Sequence, residues 1–231
     1  MDILSIQKRL NQLNFGPILE DGIIGPETEA AIMRFKRKKS LATTPYVGPL
    51  TLQALGVSRP TEPVEDMLPW MIEISKHMGE HEVTNNLALR KWLKSDGQTL
   101  GDPAKLPWCG DAMETSIKLA LPTEPFKGAL AINPYWARNW LEFGKESAPK
   151  FGSIGVFSRP GGSGHVAYLV GYDPQLGNYR VRGGNQMNRV SDTWIREERL
   201  LGIRKPSSWK HELPPLPVMN SRGSIISTNE V

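Results

Sequence analysis

Apolar residues at Ile3, Ile6, Leu10 and Leu13 recur at spacings of three and four, which predicts an amphipathic helix ending near Asn14-Phe15-Gly16. Gly25-Pro26-Glu27-Thr28 announces a second helix running through Ile32 and Phe35, because proline's fixed φ suits the first helical position and Glu27 and Glu29 complement the positive end of the helix dipole. A third begins at Gly48-Pro49-Leu50-Thr51 and ends at Leu55-Gly56. The segment repeats itself with an offset of 23, in Gly25/Gly48, Pro26/Pro49, Thr28/Thr51, Ala31/Ala54 and Ile32/Leu55. Residues 1–56 therefore read as a small three-helix bundle.

Residues 57–66 hold two prolines and three acidic residues without apolar periodicity, which is linker composition. The pattern then turns helical again over Met67 to Met78, Leu87 to Leu93, and from Cys109 through Met113, Ile117 and Leu119. From Gly152 it switches to period two. Ile154 to Phe157, His165 to Val170 and Tyr179 to Arg182 predict short strands separated by Pro160-Gly161-Gly162-Ser163-Gly164 and by Asp173-Pro174-Gln175-Leu176-Gly177-Asn178. Helices followed by a strand meander give an α+β domain with an antiparallel sheet over residues 67–210. The polar, Pro- and Ser-rich residues 211–231 predict a poorly ordered tail.

The 231 residues, 39% hydrophobic and 23% charged, exclude a disordered or collagen-like chain. The net charge of +4 and pI of about 9.2 lean toward anionic partners. The excess is shared evenly, however: +2 on residues 1–56 and +2 on the remainder, with no extended basic stripe, which argues against nucleic acid. Arg34-Phe35-Lys36-Arg37-Lys38-Lys39 places five cations in six positions, read as a solvated helix face or as an attraction to anionic wall or outer-membrane components. No apolar run approaches the roughly 20 residues that span a bilayer, and Met1-Asp2-Ile3-Leu4 does not open a Sec-type signal. The expectation is a monomer without stable membrane insertion.

One cysteine, Cys109, excludes an internal disulfide and leaves a buried small hydrophobe or a reactive thiol. It lies in Leu106-Pro107-Trp108-Cys109-Gly110-Asp111, a loop feeding into helical text, and a helix N-terminus can pull a thiol pKa below about 8.5. A thiol nucleophile needs a base that later serves as acid. His77 and His81 lie four apart, a spacing able to hold zinc, but His-Met-Gly-Glu-His misplaces the metalloprotease glutamate and no third ligand cluster is present, so neither metal nor cofactor is expected. His211 lies beside the tail. His165 opens an apolar strand after a flexible turn, where a side chain can face a cleft or be an ordinary strand-end histidine. Asn185, in Gly183-Gly184-Asn185-Gln186 after the next strand, can orient the imidazole or serve as a turn residue, and Gln186 competes for the orienting role. The order Cys, His, Asn is that of papain-like cysteine hydrolases.

Two resemblances extend this reading. Ile6-Gln7-Lys8-Arg9-Leu10 to Phe15, followed by Asp21-Gly22-Ile23-Ile24-Gly25-Pro26-Glu27-Thr28, resembles the three-helix peptidoglycan-binding domain of many wall hydrolases, with Lys36 where members usually have glutamine. The Trp108-Cys109 helix start, Gly152-Ser153-Ile154-Gly155-Val156-Phe157, Ser163-Gly164-His165-Val166-Ala167-Tyr168 and Gly183-Gly184-Asn185-Gln186 together resemble the CHAP class of cysteine amidohydrolases, relatives of the NlpC-like wall peptidases. That resemblance implies a papain-like fold with Cys109 as nucleophile, His165 as general base and acid, and Asn185 as orienter, with Trp108 and Gln186 toward the substrate. It implies a peptidoglycan amidase or endopeptidase, such as a phage endolysin held in the host cytoplasm until release to the wall. A non-catalytic wall-binding or structural protein is the rival reading.

Overall fold

The computed structural model describes residues 3–41, 43–45, 47–57 and 68–228. Three helices build the N-terminal unit: α1 (Ile3–Gln12), α2 (Pro26–Lys38) and α3 (Pro49–Leu55). Ile3, Ile6, Leu10, Ala31, Ile32, Phe35 and Leu55 are buried together, as the spacing of three and four requires. Acidic residues occupy the first turn of α2 and cations its last, so side-chain charge opposes the helix dipole at both ends. Buried Gln7 organises the connection between α1 and α2. Its amide nitrogen donates to Asp21 Oδ1 (2.8 Å), the Ile23 carbonyl (2.9 Å) and Thr28 Oγ1 (3.2 Å), and its Oε1 accepts from the Gly22 N–H (2.7 Å). One side chain thus fixes the whole Asp21–Thr28 segment.

The cationic run is only partly a solvated face. Arg34, Arg37, Lys38 and Lys39 are exposed, but Lys36 is buried and its Nζ donates to the Thr44 carbonyl and Oγ1. Burial, with a contribution from Arg182 of the second unit, pushes the Lys36 pKa down to about 8.

The linker expected over 57–66 lies, apart from Val57, outside the described residues. Beyond it come α4 (Pro69–Ser75), α5 (Asn86–Leu93), α6 (Cys109–Ala120) and α7 (Gly128–Ile132), then a six-stranded antiparallel sheet. Its strands are β1 (Lys145–Glu146), β2 (Ile154–Ser158), β3 (Gly164–Asp173), β4 (Asn178–Gln186), β5 (Arg189–Arg196) and β6 (Leu200–Lys205), in the spatial order β1-β6-β2-β3-β4-β5. The architecture is α+β. Alternation sends Val166, Tyr168 and Val170 into the helix-covered core with Trp70, Trp108, Trp140 and Met113, and sends Ala167 and Leu169 to a smaller cluster with Phe157, Val181 and Ile195.

Helix α6 sits very close to the sheet. A methyl group at Gly184 would lie 2.5 Å from the Trp108 ring and 2.6 Å from the Ala112 Cβ. At Gly110 it would lie 2.5 Å from the Tyr135 carbonyl oxygen. Both positions exclude any side chain.

The tail differs from expectation. Residues 213–228 form a strap between the two units rather than a disordered end. The Tyr172 N–H donates to the Pro217 carbonyl (2.9 Å), the Met219 N–H to the Tyr172 carbonyl (2.8 Å) and the Asn220 N–H to the Ile24 carbonyl (3.2 Å). Met219 and Trp194 join the core of the N-terminal bundle, and the Met219 sulfur occupies the space that Gly171 leaves open. Ser221 donates through both N–H and Oγ to buried Asp173 (2.7 Å each) and accepts from Asn178 (2.8 Å). The composition is polar because the strap is held by hydrogen bonds to both units. Nearby, Arg180 pairs with Glu29 across the seam, and Arg182 holds Asp192 through two hydrogen bonds (2.7 and 3.0 Å). Burial works against the Asp192 carboxylate, but the two arginines outweigh it and keep its pKa below the usual range.

Gly184→Ala is expected to lower stability by about 1–3 kcal/mol, read as a fall in the urea midpoint of the full chain. An unchanged midpoint would contradict the close α6–β4 contact.

Candidate active site

Cys109 is the first residue of α6. The Ala112 N–H donates to the Trp108 carbonyl (3.0 Å), closing the first turn, and Trp108 offers no side-chain cap. The thiol is buried, and the N–H groups of Val166, Gly110 and Cys109 itself are directed at it. Burial pushes the Cys109 pKa up, and the Arg159 charge with these three N–H groups opposes the rise without cancelling it. The expected pull of the helix terminus is thus present but outweighed by desolvation, and the resting sulfur is a thiol.

His165 is fully buried near the start of β3, and both ring nitrogens have partners. Arg159 Nη2 lies 3.2 Å from Nδ1, and Gln186 Oε1 lies 3.0 Å from Nε2. A guanidinium only donates, so Nδ1 accepts and the ring proton sits on Nε2, donating to Gln186. The glutamine is consistent with this assignment, because its amide nitrogen donates to the carbonyls of Ser191 and Val181 and leaves Oε1 for the imidazole. The imidazole is therefore held neutral in one tautomer.

The structure brings Cys109 against the peptide unit that directly follows His165, with Arg159 within charge reach of the thiol and in contact with the imidazole. It does not join thiol and imidazole by a hydrogen bond. By strand alternation His165 starts on the side of Phe157, its β2 partner, while Val166 faces the core that holds Cys109.

Three site expectations are corrected. Asn185 makes no hydrogen bond to the imidazole; it stands at φ 56 within β4, at the irregularity of the β4–β5 ladder, so it is a bulge residue in a left-handed position that asparagine tolerates. Gln186 is the residue that hydrogen-bonds the imidazole, and it is fully buried rather than presented to a substrate. Trp108 is 1% exposed, packs over Gly184 and donates its indole N–H to Glu82 (2.9 Å), so it is a core residue. Arg159 escaped the sequence reading. Its only signal was a cation closing an apolar strand, six residues before the histidine.

The other histidines are occupied locally. His77 stacks on Trp92 with centroids 4.0 Å apart and contacts Glu80, and His81 Nδ1 accepts from the Val83 N–H (3.1 Å). His211 meets the Trp209 ring edge-on. Among the described residues no group of three His, Cys, Asp or Glu side chains is arranged to hold a metal ion. None of the described helices is long and apolar enough to cross a membrane.

Behind the thiol, α6 buries Asp111 and Glu114 near Asp96. Asp111 Oδ2 accepts from Thr99 Oγ1 (3.0 Å) and the Leu100 N–H (2.9 Å), tying the loop before the cysteine to the helix, while its Oδ1 has no partner. Burial first, and then the neighbouring Glu114 and Asp96, push the Asp111 pKa up to about 7 against these two hydrogen bonds. Glu114, paired with Lys118, is pushed up as well, chiefly by burial.

Residues 2–55 match the family described as "Putative peptidoglycan binding domain". No curated protein and no solved structure matches the chain. The match identifies the N-terminal unit as a peptidoglycan-binding domain, consistent with cell-wall association.

An acid whose pKa is raised in the fold favours the protonated folded state, so stability falls as pH rises from about 4, the unfolded value, to about 7. Asp111→Asn is expected to flatten this dependence and to raise stability at pH 8 by at least about 1 kcal/mol. Urea unfolding at pH 5 and pH 8 checks it; an unaltered difference between the two would contradict the assignment.

Proposed function

We propose that residues 67–210 form a cysteine-dependent peptidoglycan hydrolase of the CHAP/NlpC-like, papain-related kind, an amidase or endopeptidase delivered by the N-terminal domain. The observation that carries the reading is the arrangement around β3: a thiol at a helix N-terminus against the Val166 N–H, and on the preceding residue of the same strand an imidazole whose tautomer Gln186 fixes. Wall binding raises the local concentration of such an enzyme on an insoluble polymer, so weak affinity suffices. In this reading Arg159 leaves Nδ1, which then takes the thiol proton. The thiolate attacks the amide carbonyl, and His165 returns the proton to the departing amine. Water then hydrolyses the thioester, with Nδ1 accepting its proton and passing it to the regenerated thiol. The Cys109 N–H, at the open end of α6, suits the developing oxyanion. A phage endolysin, made in the host cytoplasm and released to the wall, fits this combination of binding domain and hydrolase.

The separation of thiol and imidazole, with the raised thiol pKa, favours a second reading: a wall-binding protein in which Cys109 is only packed. Lysis of permeabilised Gram-negative cells separates the two. Cys109→Ala and His165→Ala are each expected to cut the rate by at least about 100-fold while retaining binding to sacculi. Lysis at the wild-type rate by either variant would exclude the thiol mechanism.

A further inference from the structure

The strap residues 213–228 complete a groove on the peptidoglycan-binding domain. A groove of about 360 Å³ is walled on one side by Leu19, Ile23, Pro26 and Glu27 and on the other by Asn220 and Arg222. The two walls come from opposite ends of the chain and are locked in register: the Asn220 N–H donates to the Ile24 carbonyl, and Ser221 is anchored on Asp173 of the sheet domain. The groove therefore exists only when the N-terminal bundle, the strap and the sheet domain are together.

Its chemistry is mixed. Asp21 is already engaged by Gln7 and the Ile23 N–H, and Thr28 by Gln7. The Glu27 carboxylate and the Arg222 guanidinium have no side-chain partner among the described residues and are exposed. Leu19 adds an apolar edge, 70% exposed. One free anion, one free cation and a short apolar wall suit a small zwitterionic peptide with alkyl side chains better than a bare glycan, whose hydroxyls need neither charge.

We infer that this seam groove binds the stem peptide of peptidoglycan, with Arg222 of the strap taking a peptide carboxylate and Glu27 facing its amine or amide N–H groups. The inference rests on the wall-binding character of residues 2–55 and not on the hydrolase reading. It makes the strap part of the recognition surface, so wall binding reports on the assembly of both domains.

The test is retention of the full-length Cys109→Ala protein on purified sacculi, which removes digestion from the readout. Arg222→Glu is expected to weaken retention by about 10-fold or more, with Arg222→Lys retaining most of it and the melting temperature unmoved, since the side chain is exposed. Arg37→Glu makes the same charge change at the other end of α2, about 16 Å away along the helix, and is expected to bind like the parent. Soluble muropeptides should compete, and the same muropeptides with amidated carboxylates should not. Wild-type retention by Arg222→Glu, an equal loss in Arg37→Glu, or equal competition by the amidated peptides would each overturn the inference.

Discussion

The second domain depends on how closely α6 lies on β4. A helix at ordinary distance from a sheet leaves room for side chains between them, but here Trp108 and Ala112 fill the place of a side chain at Gly184, and the Tyr135 carbonyl fills that of Gly110. These two absences of a Cβ let the start of α6 drop onto the main chain of β3, so that the Cys109 thiol meets the Val166 N–H. Everything chemically distinctive follows from that height. The thiol is desolvated and its pKa rises, Arg159 comes within charge reach, and the carboxylates Asp111, in the same first turn, and Glu114, in the next, are carried into the interior. Burial of a thiol in this way is costly for its ionised form, and the N–H groups and the guanidinium around it are what a transient thiolate would use.

The strap gives the two domains a fixed relation that a linker alone could not. Its hydrogen bonds alternate between the Ile24 carbonyl on one side and Tyr172, Asp173 and Trp194 on the other, and Met219 buries its side chain at the junction. The Arg180–Glu29 pair lies in the same seam, whereas buried Lys36, at the position of the usual glutamine, is held by Thr44 of its own unit and is disfavoured as a cation by Arg182 of the neighbouring domain. Tethering by a flexible segment would raise concentration only; a seam of this kind also sets orientation.

Much of this was legible in the sequence because local signals agreed. The bundle followed from its spacing and its Gly-Pro helix starts, the beginning of α6 fell at Cys109 as expected, and the three strands read from alternation are β2, β3 and β4. What escaped was decided by tertiary contacts. Strand β5 carries Arg189, Asp192 and Arg196, and its aspartate is buried only because two arginines on β4 meet it. Asn185 and Gln186 are adjacent, and only the left-handed backbone at the first shows that the second turns toward His165. Polar composition made 211–231 look disordered, since nothing local announces that Ser221 will meet a buried aspartate.

The central claim is that Cys109 becomes covalently acylated by a wall peptide. Intact-mass and peptide-mapping spectrometry of the full-length protein, acid-quenched during incubation with muropeptides, measures this directly. The account predicts an adduct of acyl mass on the Cys109 peptide that hydroxylamine removes and that Cys109→Ala lacks. Release of cleaved peptides with no such adduct, together with undiminished cleavage by Cys109→Ala, would contradict it.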